Sequence, residues 1–149
     1  MERFFKKILI ATDGSENGAQ AISAGMEIAR LSQGKVYALY VTDIAGCPPG
    51  MGDTKWGEVI EEQLKTFGLE LTATVEKAAK EAGVEVEFVT LEGNPAEKIL
   101  NFAEKQDIDM IVVGSRGKTD VERFLLGSVS ERVVRNAKVP VLVVHGRKH

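Results

Sequence analysis

Short apolar runs alternate with amphipathic helical patterns along the chain, and this alternation limits the folds open to it more than any other feature. The runs that we predict as strands cover residues 8–11, 36–41, 84–88, 110–113 and 139–144. Such alternation is typical of repeated βα units around a parallel sheet. With 149 residues, the chain is long enough for a substantial core, so we expect residues 1–149 to form one domain.

The composition of the individual runs predicts the order of the strands. Residues 8–11 and 110–113 are uniformly apolar, which indicates central strands that are buried on both faces. Glu85 and Glu87 alternate with apolar residues in the third run, which places that strand near a sheet edge. The predicted fold is therefore α/β, a doubly wound five-stranded parallel sheet of order 3-2-1-4-5 with helices on both faces. Ligands bind such sheets where the winding reverses, here between the ends of the first and fourth strands.

Local signals predict where the helices begin and end. Gly34 and Gly83 suit the C-terminal stops of the first two helices. Asn94, which a proline follows, starts the third helix. Ser128 and Glu131 form a capping-box pattern, so we expect Ser128 to cap the last helix.

A glycine-bearing segment joins the fourth strand to the last helix. Gly114, Gly117, Gly127 and Ser128 fill the spacing G-x2-G-x9-G-[ST]. Glycines let the backbone approach a ligand closely, and a helix N-terminus offers unpaired N–H groups and partial positive charge. A glycine costs about 1 kcal/mol in a helix interior, which makes sense at Gly127 if the backbone turns there to face a ligand. The spacing therefore predicts a phosphate cradle.

Polar side chains around this segment have two interpretations each. Asp13 is either a turn residue or, opposite a phosphate loop, a partner for a ribose hydroxyl or a phosphate-bound metal. Arg116 and Lys118 are either solvated charges or phosphate contacts, with neither favoured. The hydroxyls of Ser128 and Ser130 could reach phosphate oxygens. The combination of Asp13 with the glycine segment favours a nucleotide site.

The glycine spacing resembles the nucleotide-binding signature of the universal stress protein family, in its ATP-binding subgroup. The resemblance covers nearly the whole chain, including residues 11–15 and the closing residues 139–144. It implies that the end of the first strand lines the nucleoside side of the site and that Val41 lies beside the adenine. The predicted nucleotide-binding residues are Ala11, Thr12, Asp13, Val41, Gly114, Ser115, Arg116, Gly117, Gly127, Ser128, Val129 and Ser130.

The function that the resemblance implies is that of a small cytoplasmic protein of the stress response, which senses or buffers ATP and acts through partner proteins. A divalent metal, Mg²⁺ or Mn²⁺, would accompany the phosphates. We identify no general base beside the glycine segment, so ATP hydrolysis would be slow at most, and we predict no catalytic residue.

Two other functions stay open as alternatives. An adenylating or pyrophosphatase-type enzyme on a related fold would carry a serine-glycine-glycine loop after the first strand, but Thr12 to Ser15 lack it. A dimeric scaffold that binds no nucleotide would not need the glycine spacing. A phosphate loop of the Walker type is excluded because Val112 stands where its first glycine is required.

Several features of the composition exclude other classes. The net charge of −3 disfavours a sequence-independent nucleic-acid binder, and no apolar stretch is long enough for a membrane helix. Cys47 is the single cysteine, which excludes an internal disulfide and fits a reducing compartment. His145 and His149 alone make no structural zinc pattern. We interpret Asp107 and Asp109 as solvated turn acids.

The fifth strand, from Val139 to Val144, predicts a homodimer. In the order 3-2-1-4-5 it lies at a sheet edge, yet it carries no charge that would discourage pairing. The same strand of a second copy would cover it through a two-fold interface. Pro140 lacks an N–H group, so pairing should centre on residues 141–144. The family resemblance implies the same dimer.

Overall fold

The computed structural model describes residues 5–12, 16–42, 55–115 and 127–145. It forms a five-stranded parallel sheet with strand order β3-β2-β1-β4-β5, so the predicted doubly wound architecture is confirmed. The strands are β1 (Lys7–Thr12), β2 (Lys35–Thr42), β3 (Glu85–Glu92), β4 (Met110–Gly114) and β5 (Val141–Val144). The helices are α1 (Glu16–Ser32), α2 (Lys55–Ala82), α3 (Pro95–Lys105) and α4 (Ser128–Asn136).

Each face of the sheet carries its own hydrophobic core. Successive strand residues point to opposite faces, so Ile8 and Ile10 pack with α1 and α2, while Leu9 between them packs with α3 and α4. All three side chains are fully buried, and so is Ile111 of β4. The uniformly apolar runs are therefore the central strands, as their composition predicts. None of the described helices combines the length and the apolar character that are needed to cross a bilayer.

The edge strand β3 is partly exposed to solvent along its length. Exposed acidic and half-buried apolar residues alternate over residues 85–88, as predicted, but the strand runs further than residue 88. Residues 88 and 89 are both half-buried, and beyond them the exposed positions lie on the other face of the strand. The ammonium group of Lys35 on β2 lies 3.1 Å from a carboxylate oxygen of Glu87 and 3.6 Å from one of Glu85. The hydrogen bond to Glu87 raises the pKa of Lys35 above its usual value of 10.5.

Gly34 takes part in the predicted stop of α1, where its amide donates to the carbonyl oxygen of Ala29 at 2.9 Å, but it is not the left-handed residue of that stop. The left-handed residue at the end of α1 is Gln33, whose φ is 59°, whereas Gly83 after α2 has a φ of 71° as expected for a glycine stop. A Cβ atom at Gly34 would lie 2.7 Å from the carbonyl oxygens of both Phe5 and Lys6. The glycine is therefore required because the backbone before β1 passes close to it.

The prediction that Ser128 caps α4 is wrong by one residue. Gly127 is the N-cap, with φ −66° and ψ 159°, and its carbonyl oxygen accepts the first helical hydrogen bond from the amide of Glu131 at 2.9 Å. Ser128 is the first helical residue and its side chain is exposed. At α3 the prediction is confirmed, since the Asn94 side chain accepts a hydrogen bond from the amide of Glu97 at 3.0 Å.

Asp109 is not the solvated turn acid that its position suggests. One of its carboxylate oxygens accepts hydrogen bonds from the backbone amides of both Lys6 and Lys7, each at 2.9 Å. Its own amide donates to the carbonyl oxygen of Lys7 at 2.8 Å. Asp109 therefore aligns the start of β4 with the start of β1. Asp107 is exposed, in agreement with its interpretation.

Candidate functional site

The central strands end side by side at the carboxyl edge of the sheet. The β1–β4 register pairs Ile10 with Val112, so Thr12 and Gly114 lie at the same level two residues further on. Thr12 is buried, with 7% of its surface exposed. Ala11 on β1 and Val41 on the adjacent β2 are both half-buried. This edge is the reversal point of the winding, where sheets of this class bind ligands.

Backbone hydrogen bonds hold the two ends of the segment between β4 and α4 together. The amide of Gly127 donates to the carbonyl oxygen of Ser115 at 2.7 Å. The amide of Ser115 donates in turn to the carbonyl oxygen of Val144 on β5 at 2.8 Å. Both Ser115 and Gly127 are buried, so the N-terminus of α4 is fixed directly beside the end of β4.

The first turn of α4 presents amide groups for which the described residues provide no acceptor. Its N-cap is a glycine, and no side chain of the described residues provides a capping hydrogen bond. The first intrahelical donor is Glu131, which leaves the amides of Ser128, Val129 and Ser130 without an acceptor among the described residues. Their N–H dipoles add to the positive end of the helix macrodipole. The turn is therefore suited to bind an anion such as a phosphate group.

The hydroxyl of Ser130 is directed to the protein and not to solvent. It donates a hydrogen bond to the carbonyl oxygen of Gly114, at the end of β4. Ser130 is 7% exposed. To donate to a phosphate oxygen, as the sequence suggests, this hydroxyl would have to give up its bond to Gly114.

Most of the predicted site residues come together at this edge. The structure brings the following of them to the ends of β1, β2 and β4 and to the start of α4: Ala11, Thr12, Val41, Gly114, Ser115, Gly127, Ser128, Val129 and Ser130. Asp13, Arg116 and Gly117 lie outside the described residues. Sequence reasoning missed Val144, whose carbonyl oxygen holds Ser115, because the exact register of β5 against β4 is needed to identify it.

Comparison with known proteins identifies the family of this chain. A model of the universal stress protein family matches residues 4–145. The chain belongs to the universal stress protein family. The universal stress protein MJ0531 of Methanocaldococcus jannaschii is 46% identical over 143 residues, which cover 96% of this chain and 84% of the relative.

Solved structures of similar proteins share the whole fold. The structure of MJ0577, for which a structure-based assignment of biochemical function was made, matches with a TM-score of 0.82 at 30% identity and covers 99% of both chains. A universal stress protein from Archaeoglobus fulgidus, whose structure was determined in complex with dAMP, matches with a TM-score of 0.65 at 26% identity. That match covers 95% of this chain and 99% of the other.

These comparisons leave the finer expectations untested. The ATP preference, the divalent metal, the cytoplasmic location, the partner proteins and the homodimer stay predictions. Within the described ranges, no group of three His, Cys, Asp or Glu side chains is placed to hold a metal ion.

Proposed function

We propose that this universal stress protein binds ATP at the carboxyl edge of its sheet. The phosphates would lie on the open amides of Ser128, Val129 and Ser130, and the nucleoside against the ends of β1 and β2. The observation that carries the proposal is the glycine N-cap of α4, which leaves these amides without a side-chain acceptor in the part of the chain that the structure describes.

The glycine cap is informative because helices in proteins usually begin differently. Serine, threonine, aspartate and asparagine dominate at N-caps, since their side-chain oxygens accept from the amides two or three residues further on. A helix that starts on a buried glycine keeps these donors available for an external oxygen. A phosphate group offers several such oxygens together with the negative charge that the helix terminus favours.

Family membership supports a nucleotide as the source of the phosphate. The A. fulgidus protein of the same family and fold was determined with dAMP, which carries the adenine base and one phosphate. In our proposal, Ala11, Thr12 and Val41 contact the nucleoside, Asp13 contacts the ribose, and Arg116 and Gly117 continue the phosphate loop. Mg²⁺ or Mn²⁺ would be carried by the phosphates and would neutralise part of their charge.

We further propose that the protein works as a nucleotide-dependent switch in the cytoplasmic stress response. ATP would change its affinity for partner proteins, with hydrolysis slow at most. In this proposal β5 pairs with β5 of a second copy to form a homodimer. The position of β5 at the edge of the sheet and its four half-buried apolar residues support that pairing.

Isothermal titration calorimetry with ATP, ADP and GTP, each with Mg²⁺, tests the binding proposal. We expect ATP to bind and to raise the unfolding temperature, because a ligand that binds only the folded state stabilises it. GTP is expected to bind more weakly, since the nucleoside side of the site is assigned to adenine. The absence of both heat and thermal stabilisation with every nucleotide at millimolar concentration would refute the proposal.

A further inference from the structure

We propose that Ser130 is a positioning residue of the nucleotide site, with a hydroxyl that holds the first turn of α4 against the end of β4. The inference rests on the proposed function. Its basis is the hydrogen bond that this hydroxyl donates to the carbonyl oxygen of Gly114, together with the burial of the side chain.

The chemistry of the hydroxyl separates positioning from direct binding. A serine hydroxyl has one proton to donate, and the Gly114 carbonyl oxygen is an acceptor only, so that bond uses the proton. The lone pairs that remain on the hydroxyl would repel an anionic phosphate oxygen. The side chain of Ser130 therefore holds the turn in place, while its backbone amide belongs to the phosphate cradle.

Two of the described hydrogen bonds connect the start of α4 to the end of β4, and they hold different parts of the first turn. The bond from the Gly127 amide to Ser115 fixes the position of the N-cap. The fully buried side chain of Val133 already anchors the second turn of α4 in the core, so the helix as a whole cannot tilt freely. The Ser130 bond acts within the first turn itself, three residues after the cap, and therefore limits how far the open amides can shift relative to the end of β4.

A fixed direction matters because binding sites gain affinity from preorganisation. If the turn moved freely, a phosphate would have to order it on binding, and the entropy lost in that ordering would weaken the affinity. Loss of one hydrogen bond of ordinary net strength corresponds to about a five- to tenfold change in Kd.

Three variants test this role by calorimetry with MgATP. Ser130→Ala is expected to raise the Kd about five- to tenfold, and Ser130→Thr, which keeps the hydroxyl, to restore binding to within about twofold of the parent protein. Ser23→Ala removes an exposed serine from α1 and is the matched control, with an unchanged Kd.

Amide NMR of the nucleotide-free proteins separates positioning from direct contact. With Ser130→Ala, the amides of residues 127–131 are expected to shift and to exchange faster without any ligand. An unchanged ligand-free spectrum combined with a raised Kd would mean that the hydroxyl contacts phosphate itself, which overturns the positioning role.

Two further outcomes decide the inference. Equal MgATP affinity of the parent and Ser130→Ala, even with a lower unfolding temperature for the variant, would mean a purely structural role and overturn the inference alone. No binding by the parent protein would refute the proposed function, and the role of Ser130 with it.

Discussion

Two helices of this protein begin at the same edge of the sheet with opposite kinds of N-cap. Asn94 closes the first turn of α3, where its side-chain oxygen accepts from the amide of Glu97 at 3.0 Å. Gly127 provides no such oxygen to the first turn of α4, and neither does any other residue that the structure describes. Because both helices follow strands of one parallel sheet, the difference lies in single residues and not in the architecture. An acceptor supplied by the chain stabilises the helix, whereas a missing acceptor makes room for a ligand.

A pair of substitutions at Gly127 tests this contrast directly. The backbone there has φ −66° and ψ 159°, which all residues can adopt. Gly127→Ser would provide a hydroxyl that caps the open amides, whereas Gly127→Ala adds the same Cβ without it. Relative to alanine, we expect serine to raise the free energy of unfolding by about 1 kcal/mol in denaturant titrations. We also expect the Kd for ATP of Gly127→Ser to be about fivefold higher than that of Gly127→Ala, because the phosphate must displace the new cap.

Asn94→Ala is the control for that comparison. It removes the cap of the neighbouring helix and a 3.5 Å contact with the guanidinium group of Arg132 in the second turn of α4. About 1 kcal/mol of stability should be lost while the Kd for ATP stays unchanged, because neither contact involves the first turn of α4. If Gly127→Ser were more stable than Gly127→Ala but bound ATP equally well, the phosphates would not use the amides of α4.

At the scale of elements, the composition of the sequence is sufficient to predict the strands. Features that depend on contacts with a distant part of the backbone could not be predicted. The apolar runs identify the five strands and their order, because central strands must be apolar on both faces. The cap of α4 could not be predicted from its capping-box pattern, since the bond from Gly127 to Ser115 across the connecting segment fixes the backbone there. Similarly, Asp109 is recognised as structural only when β1 and β4 are adjacent.

The pairing of β2 with β3 contributes a pH-dependent term to stability. The pKa of Lys35 is raised in the folded protein, first by its hydrogen bond to Glu87. A group with a raised folded-state pKa contributes stability that is fully present below its unfolded pKa, near 10.5, and is lost as the pH rises through the folded value. Because Glu87 is 55% exposed, the pair is expected to contribute only about 0.2–1 kcal/mol.

Urea titrations of the parent protein and of Glu87→Gln measure this contribution. We expect the parent to be the more stable of the two at neutral pH and at pH 9, with the difference shrinking above the pKa of Lys35. Lys35→Met should abolish the dependence on residue 87. A difference that persists unchanged at strongly alkaline pH would mean that Glu87 stabilises the strand by packing and not through the lysine charge.

At the scale of the whole molecule, the backbone of β5 determines which of its groups are available to a second chain. The carbonyl oxygens of Pro140 and Val144 accept from Ile111 and Ser115, so these two residues face β4. In a parallel strand, the backbone groups of alternate residues point to opposite sides. The amides and carbonyls of Val141 and Val143 therefore point away from β4, toward the edge at which we propose the dimer.

Val143→Pro is the sharpest test of that dimer, because proline removes an outward N–H group and leaves the bonds to β4 intact. Its ring also occupies the space that a partner strand needs. We expect the parent to sediment as a dimer at micromolar concentration in analytical ultracentrifugation and the variant as a folded monomer.

Leu142→Pro is the contrasting variant, since residue 142 faces β4 and its substitution should destabilise the monomer itself. The Kd for ATP of Val143→Pro should stay within about twofold of the parent, because one chain supplies every described site residue. A parent that sediments as a monomer, or a proline variant that still dimerises, would contradict pairing through β5.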